Sequence, residues 1–250
     1  MLKIVLDAGH GKNFNAGAVK GFYEGNNNFH ACLALKAELE KYDDVKVVLT
    51  RSVIAEDPTY EQRCTPAWDA DLFLSWHSNG YKKESACGVV SFYSIHRPND
   101  KALCDKLNKV VVSAFGGKTY DRGAQTKVSS KDKNRDYYAV IRQSVLTNGD
   151  KFKTAPVQSK CKHSIIMEHG FHSNKEECTK LADPAFRDKL VKAEAAAIAE
   201  YFGLKLKTVK KTETYYRVQV GSFKKKANAT NLLKQLNGDG YTGFVVKAEV

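Results

Sequence analysis

The stretch KIVLDAGHGKN, residues 3–13, opens the chain with an apolar, branched run that stops on Asp7-Ala8-Gly9-His10. Ile4, Val5 and Leu6 read as a short buried strand. Gly9 and Gly11 flank His10 and let the backbone turn sharply there. A strand ending on a carboxylate and a histidine puts polar chemistry at the edge of a sheet.

Outward from this strand, the next two hundred or so residues alternate between two periods. Residues 27–41 carry Phe29, Cys32, Leu33, Leu35 and Leu39 at helical spacing, and VKVVLTR (45–51) reads as a second strand. A helix approaches Cys64 and is interrupted at Pro66. DLFLSWH (71–77), GVVSFYSIH (88–96) and SIIMEHG (164–170) are further strands, and residues 99–114 form a helix. A long helix over 183–202 has Asp183 as its N-cap and Pro184 at its first position. Strands alternating with helices imply an α/β fold, a mostly parallel sheet flanked by helices, with the ligand site outside the carboxyl ends of the strands.

Composition changes after Leu204. Residues 204–213 are lysine-rich and aperiodic, as in a solvated linker. Beyond them, YYRVQVGSF (215–223), an amphipathic helix ending at Gly238 and a returning strand from Tyr241 read as a small C-terminal βαβ unit. The expected division is 1–203, 204–213 and 214–250.

An apolar fraction of 42% against 27% charged residues fits a globular chain with a full core. The longest apolar runs are too short to span a bilayer. With the first strand starting at Leu2, no signal peptide is expected, so the chain is read as made and folded in the cytoplasm. The six cysteines include no C-x-x-C pair, so they are expected as free thiols. A net charge of +12 calls for an anionic partner, either nucleic acid or the polymers of a cell wall.

His10 follows the first strand, His77 the third, and Glu168 lies near the end of SIIMEHG, so three strands bring chemistry to one edge. Glu24 is expected in the loop between the first strand and first helix, which opens at that edge. Two histidines and a carboxylate are a recurrent ligand set for catalytic zinc, and Glu168 is left as a base. Asp7 is placed to support the metal-bound histidines by hydrogen bonding.

LDAGHG (6–11), the glutamate of GFYEGNNNF (21–29), FLSWHSNG (73–80) and IIMEHGFHSN (165–174) resemble the successive motifs of the zinc-dependent N-acetylmuramoyl-L-alanine amidases of the type 3 family. Thr50-Arg51, Arg63, Arg122-Gly123 and YAVIR (138–142) add to the resemblance, which covers roughly residues 2–202. It implies a twisted, mainly parallel α/β sheet and one zinc ion held by His10, Glu24 and His77. It also implies Glu168 as the catalytic glutamate in hydrolysis of the amide between N-acetylmuramic acid and the L-alanine of the stem peptide. Trp68, Trp76, His169 and His172 depart from the family's usual residues, which bears on substrate fit.

Residues 215–246 are similar to one repeat of the SPOR domains that bind peptidoglycan. Those domains have two repeats, so either a half module works alone or two chains combine their tails in a homodimer. The implied partner is peptidoglycan, met after release as a phage endolysin or a mother-cell lysis amidase (autolysin). Nucleic-acid binding is the alternative; it lacks any helix-turn-helix, RNP or zinc-finger signature.

Other polar residues read more plainly. Asn79 either meets substrate or holds its turn, and Arg142 either meets a stem-peptide carboxylate or pairs within the fold. Arg51 and Arg63 are read as structural, Tyr137 and Tyr138 as core and rim, and Lys224–Lys226 as a solvated turn. His163 and His172 are expected at the surface or rim, and His169, beside the base, near substrate.

Overall fold

The computed structural model describes residues 1–117, 119–146, 156, 158–208 and 218–247. It divides into two compact units, Met1–Lys207 and Thr208–Val250.

The first unit runs β1 (Leu2–Ala8), α1 (Glu24–Leu39), β2 (Val45–Leu49), α2 (Tyr60–Cys64), β3 (Leu72–Asn79), β4 (Val89–Tyr93), α3 (Asp100–Phe115), β5 (Asp121–Gln125), α4 (Ala139–Val145), β6 (His163–Phe171), α5 (Lys175–Ala182) and α6 (Pro184–Phe202). Its six-stranded sheet has the order β2-β1-β3-β6-β4-β5. All neighbours are parallel except β4 against β6. β4 follows β3 without an intervening helix and enters as the reversed strand. The mostly parallel α/β sheet expected from the alternation is therefore the one formed.

Helices cover both faces, which is why the strands read as continuous apolar runs. Ile4, Leu6, Leu74, Trp76 and Met167 face a core shared with α1, α3 and α6. Val5, Phe73, Val90 and Ile166 face a second core with Cys64, Val140 and Ile141. The side-chain period of two thus assigns every strand residue to one layer or the other.

Helix signals acted as expected at α6, where the Asp183 side chain accepts from the Ala185 N–H and Pro184 takes the first position. Pro66 ends α2 in a short 3-10 turn, Thr65–Ala67. All six cysteines are free, five of them buried. α1 begins at Glu24 rather than at residue 27, so Glu24 is its first residue and not a loop residue. β5 and α5 were not anticipated; β5 lies at the sheet edge and is polar and largely exposed, so it carries no strong period.

In the second unit, α7 (Lys226–Gly238) is the expected amphipathic helix. The flanking strands are a correction: residues 218–223 and 241–247 form no strand. A lone pair of strands with one helix has little to pair or pack against. Val218, Val220, Tyr241, Phe244 and Val246 remain more than half exposed. The expected residues 209–217 and 248–250 lie outside those described. Residues at the start of the expected linker belong to the first unit, where Leu206 bridges Tyr42 and the Lys207 N–H donates to Lys41 O at 2.8 Å.

Candidate active site

The carboxyl ends of β1, β3 and β6 meet in register: His77 of β3 lies opposite Glu168 of β6. His77 and Glu168 share the face of Phe73, Ser75 and Ile166, but at the open end of that layer, where they line a cavity of about 300 Å³ with His10, Asn15, Glu24 and His172. His10 reaches it because the chain leaves β1 in left-handed backbone: His10, Asn13 and Asn15 have φ of 62°, 59° and 52°. Such conformations cost energy in non-glycine residues and cluster where function holds them in place. Phe14 stacks on the His10 ring at 4.7 Å.

Glu24 sits at the centre. Its Oε1 is 3.1 Å from His77 Nδ1 and accepts from the Ser78 N–H at 3.1 Å, while its Oε2 is 3.3 Å from His10 Nε2. The Asn15 amide donates to Oε2 at 2.6 Å, and Asn28 bridges Oε1 and Gly9 O at 3.4 and 3.0 Å. Burial raises the Glu24 carboxyl, but its bonds to His77 and the charge of His10 outweigh that and bring it down to about 2. Burial also lowers His10, to about 4. For His77 the carboxylate of Glu24 outweighs burial and raises it.

One donor atom from each of His10, Glu24 and His77 lies within 4.8 Å of the others. Each Glu24 oxygen faces one histidine, Oε1 at 3.1 Å from His77 Nδ1 and Oε2 at 3.3 Å from His10 Nε2, and two imidazole nitrogens with a carboxylate oxygen are a donor set that suits a zinc ion. Glycines make the packing possible: a Cβ on Gly9 would lie 2.1 Å from the His77 ring, and one on Gly25 1.9 Å from Gly11 O.

Glu168 stands apart from this set. Its Oε2 is enclosed without a hydrogen-bond partner among the described residues. Burial pushes its carboxyl up to about 7, against the opposing pull of His77. A carboxyl poised near neutrality can both accept and return a proton.

Asp7 does not support the histidines. It is fully buried one layer below, held by Arg63 through Nε and Nη2 at 2.9 and 2.6 Å, and by Thr50 and Ser75. Burial raises its carboxyl, but Arg63 and these hydroxyls hold it below the usual range. Arg63 is structural as expected, as is Arg51, which donates to Ile54 O and Gly25 O. Arg142 donates to the carbonyls of Asp136 and Tyr137 and does not line the cavity. Asn79 lines the cavity while its Oδ1 accepts from the Gly80 N–H at 2.8 Å, so it holds the turn.

His169 is a second correction. Being adjacent to Glu168 in a strand, it points to the opposite face and is fully buried, stacked on Trp76 at 3.6 Å and bonded to Glu194 at 2.7 Å. It cannot touch substrate from there. Trp76 donates to the same carboxylate at 3.2 Å, so the two departures at residues 76 and 169 answer one buried acid. His172, expected at the surface or rim, is a third correction, because it is buried in the cavity wall. His163 is half-buried with Nδ1 2.8 Å from Asp100. Asn15 and His172 are the site residues that sequence reasoning passed over. The asparagines of the loop after His10, a residue type tolerant of left-handed backbone, were the available signal for the first.

Residues 4–200 match the family described as N-acetylmuramoyl-L-alanine amidase. The chain belongs to this family. It is a peptidoglycan hydrolase of the kind first read from its motifs. Residues 185–247 match the SPOR domain. N-acetylmuramoyl-L-alanine amidase CwlM of Bacillus licheniformis is 26% identical over 253 residues, covering 98% of this chain and 85% of its own. The sporulation-specific N-acetylmuramoyl-L-alanine amidase of Bacillus subtilis (strain 168) is 26% identical with the same coverages. The catalytic domain of CwlV from Bacillus (Paenibacillus) polymyxa superposes with a TM-score of 0.64 at 27% identity, over 82% of this chain and all of that one. An amidase structure from Clostridium difficile 630 has the same fold, with a TM-score of 0.65 at 22% identity over 81% of this chain and 97% of that one.

Proposed function

We propose that the amidase works with one zinc ion held by His10, Glu24 and His77, and that Glu168 is its proton-transfer residue. The observation that carries this reading is the grouping of three ligand atoms within 4.8 Å beside an enclosed, unpartnered Glu168 Oε2. Zinc supplies Lewis acidity toward the scissile carbonyl and toward water. Glu168 Oε2 takes a proton from the attacking water and gives it to the departing L-alanine amine, so the carboxylate is regenerated each cycle. Asn15, Ser78 and Asn28 hold the Glu24 carboxylate in orientation. Digestion of purified walls, scored for new N-terminal L-alanine against new reducing ends, tests the reaction. Chelation followed by metal analysis and zinc restoration tests the ion. Full activity after exhaustive metal removal overturns the zinc assignment.

The catalytic part is assigned to 1–203 and a wall-binding segment to 214–250, joined through 204–213. The SPOR match supports the second assignment. The exposed apolar residues around α7 support pairing of two tails in a homodimer. No helix among the described residues is long and apolar enough to cross a membrane. Of the two physiological settings, a mother-cell lysis role is favoured over a phage endolysin by the sporulation-specific relative. None of the matched relatives supports nucleic-acid binding.

A further inference from the structure

His172 is 7% exposed, and the exposed part lies in the wall of the catalytic cavity. Its backbone is fixed on both sides: its N–H donates to Asn79 O at 2.8 Å and its carbonyl accepts from the Ala18 N–H at 2.8 Å. Its ring is fixed too. Nδ1 lies 2.9 Å from Ser78 O and 3.1 Å from Ser78 Oγ. A carbonyl oxygen can only accept, so Nδ1 carries the proton, and in the neutral ring Nε2 presents a lone pair. Nε2 makes no hydrogen bond within the described residues. It faces Gly80, where an added Cβ would lie 2.8 Å from it, so glycine keeps this ring edge open.

The neighbouring acceptors are committed. Both Glu24 oxygens are engaged by histidines and amides, and Asn79 Oδ1 holds its turn. Glu168 is reserved for proton transfer. With Nδ1 as the donor, the neutral His172 ring is a rigid acceptor with no assigned donor, and the leaving side of an amidase substrate is a peptide that carries N–H groups. His172 Nδ1 is also 3.8 Å from Glu24 Oε2, which sets the ring beside the metal-ligand cluster and outside the group of three.

We propose that His172 is a specificity-determining residue whose Nε2 accepts a hydrogen bond from the stem peptide, at the N–H of the peptide bond that follows L-alanine. The proposal rests on the amidase reading above and adds a substrate contact to it. The test is a cycle between protein and substrate. Two synthetic disaccharide–tetrapeptides are compared, one natural and one with an ester oxygen replacing that N–H, with wild type, His172→Leu and His172→Gln at equal zinc content. A single hydrogen bond predicts about a ten-fold loss of kcat/KM for wild type on the ester. His172→Leu should be about ten-fold down on the natural substrate and show no further loss on the ester. His172→Gln, whose carboxamide oxygen can accept, should recover part of the loss. The same cycle is read as substrate binding by Glu168→Gln protein, without turnover. An equal ester penalty in wild type and His172→Leu overturns the proposal. Loss of zinc from both His172 variants also overturns it, making the residue a support of the metal site. Wild type that releases no N-terminal L-alanine from either walls or the natural substrate refutes the amidase reading itself.

Discussion

Replacing His169 and Glu194, singly and together, tests whether the buried pair behind β3 acts as a unit. Both side chains have no solvent exposure, and each ring nitrogen of His169 faces an acceptor, Glu194 Oε1 at 2.7 Å and His77 O at 3.0 Å. The other Glu194 oxygen receives the Trp76 N–H at 3.2 Å. Removing one partner of such a pair strands the other in a low-dielectric layer, a cost of about 3–5 kcal/mol, whereas replacing both by apolar side chains of similar size is often nearly neutral. His169→Leu and Glu194→Met should therefore each cost about 3–5 kcal/mol. Independent effects would add to roughly 6–10 kcal/mol in the double variant. In the double variant the Trp76 N–H and the His77 carbonyl lose these partners, at about 1–3 kcal/mol each, so its loss should fall well short of the additive sum. At about 2–4 °C per kcal/mol for a unit of this size, each single change lowers the thermal midpoint by roughly 6–20 °C, and the double by less than the sum of the two. Thermal unfolding followed by circular dichroism, at matched zinc, reads all four proteins. Additive losses would refute the reasoning, since they would mean that His169 and Glu194 contribute separately.

Four further outcomes follow from the site, its supports and the tail. Glu168→Gln should retain zinc and lose about 100-fold or more in wall hydrolysis, whereas His10→Ala should lose both, measured by metal analysis alongside the appearance of N-terminal L-alanine. Gly9→Ala changes no ligand, yet its Cβ would fall 2.1 Å from the His77 ring, so zinc affinity should drop while the sheet's circular dichroism persists. Asp7 is depressed below its ordinary 3.8, so its contribution to stability is complete above that value and is lost as pH falls through the lower folded value. Acid unfolding should accordingly steepen below about pH 4 in wild type and flatten in Asp7→Asn, itself less stable at neutral pH; equal acid slopes in the two proteins would contradict the assignment. Light scattering of the full chain against one ending at Gly203 checks the tail: a dimer and a monomer are expected, and a monomeric full chain that still binds walls would show that one repeat suffices.

The sequence by itself determined the α/β class, the strands that carry His77 and Glu168 and the one that leads into His10, and the N-cap of α6, because period and capping are local properties written in neighbouring residues. It also carried the family motifs, and with them the expected ligand set. Strand alternation was legible as well, and it already excludes His169 from the face of Glu168. Other features were decided only in three dimensions. Glu194 is far along the chain from Trp76 and His169, and nothing local in α6 marks it as their acceptor. Asp7 looked like a partner for the histidines beside it in sequence, but it lies in register with Ser75, one period of the pleat short of His77, where Arg63, Thr50 and Ser75 take up its oxygens. His172 was read as a rim residue because its burial depends on Gly80 and Ser78 of another strand. The tail's alternating residues promised strands, but alternation supplies only a face; a strand also needs a neighbour to bond, and whether one is present is a property of the assembled chain.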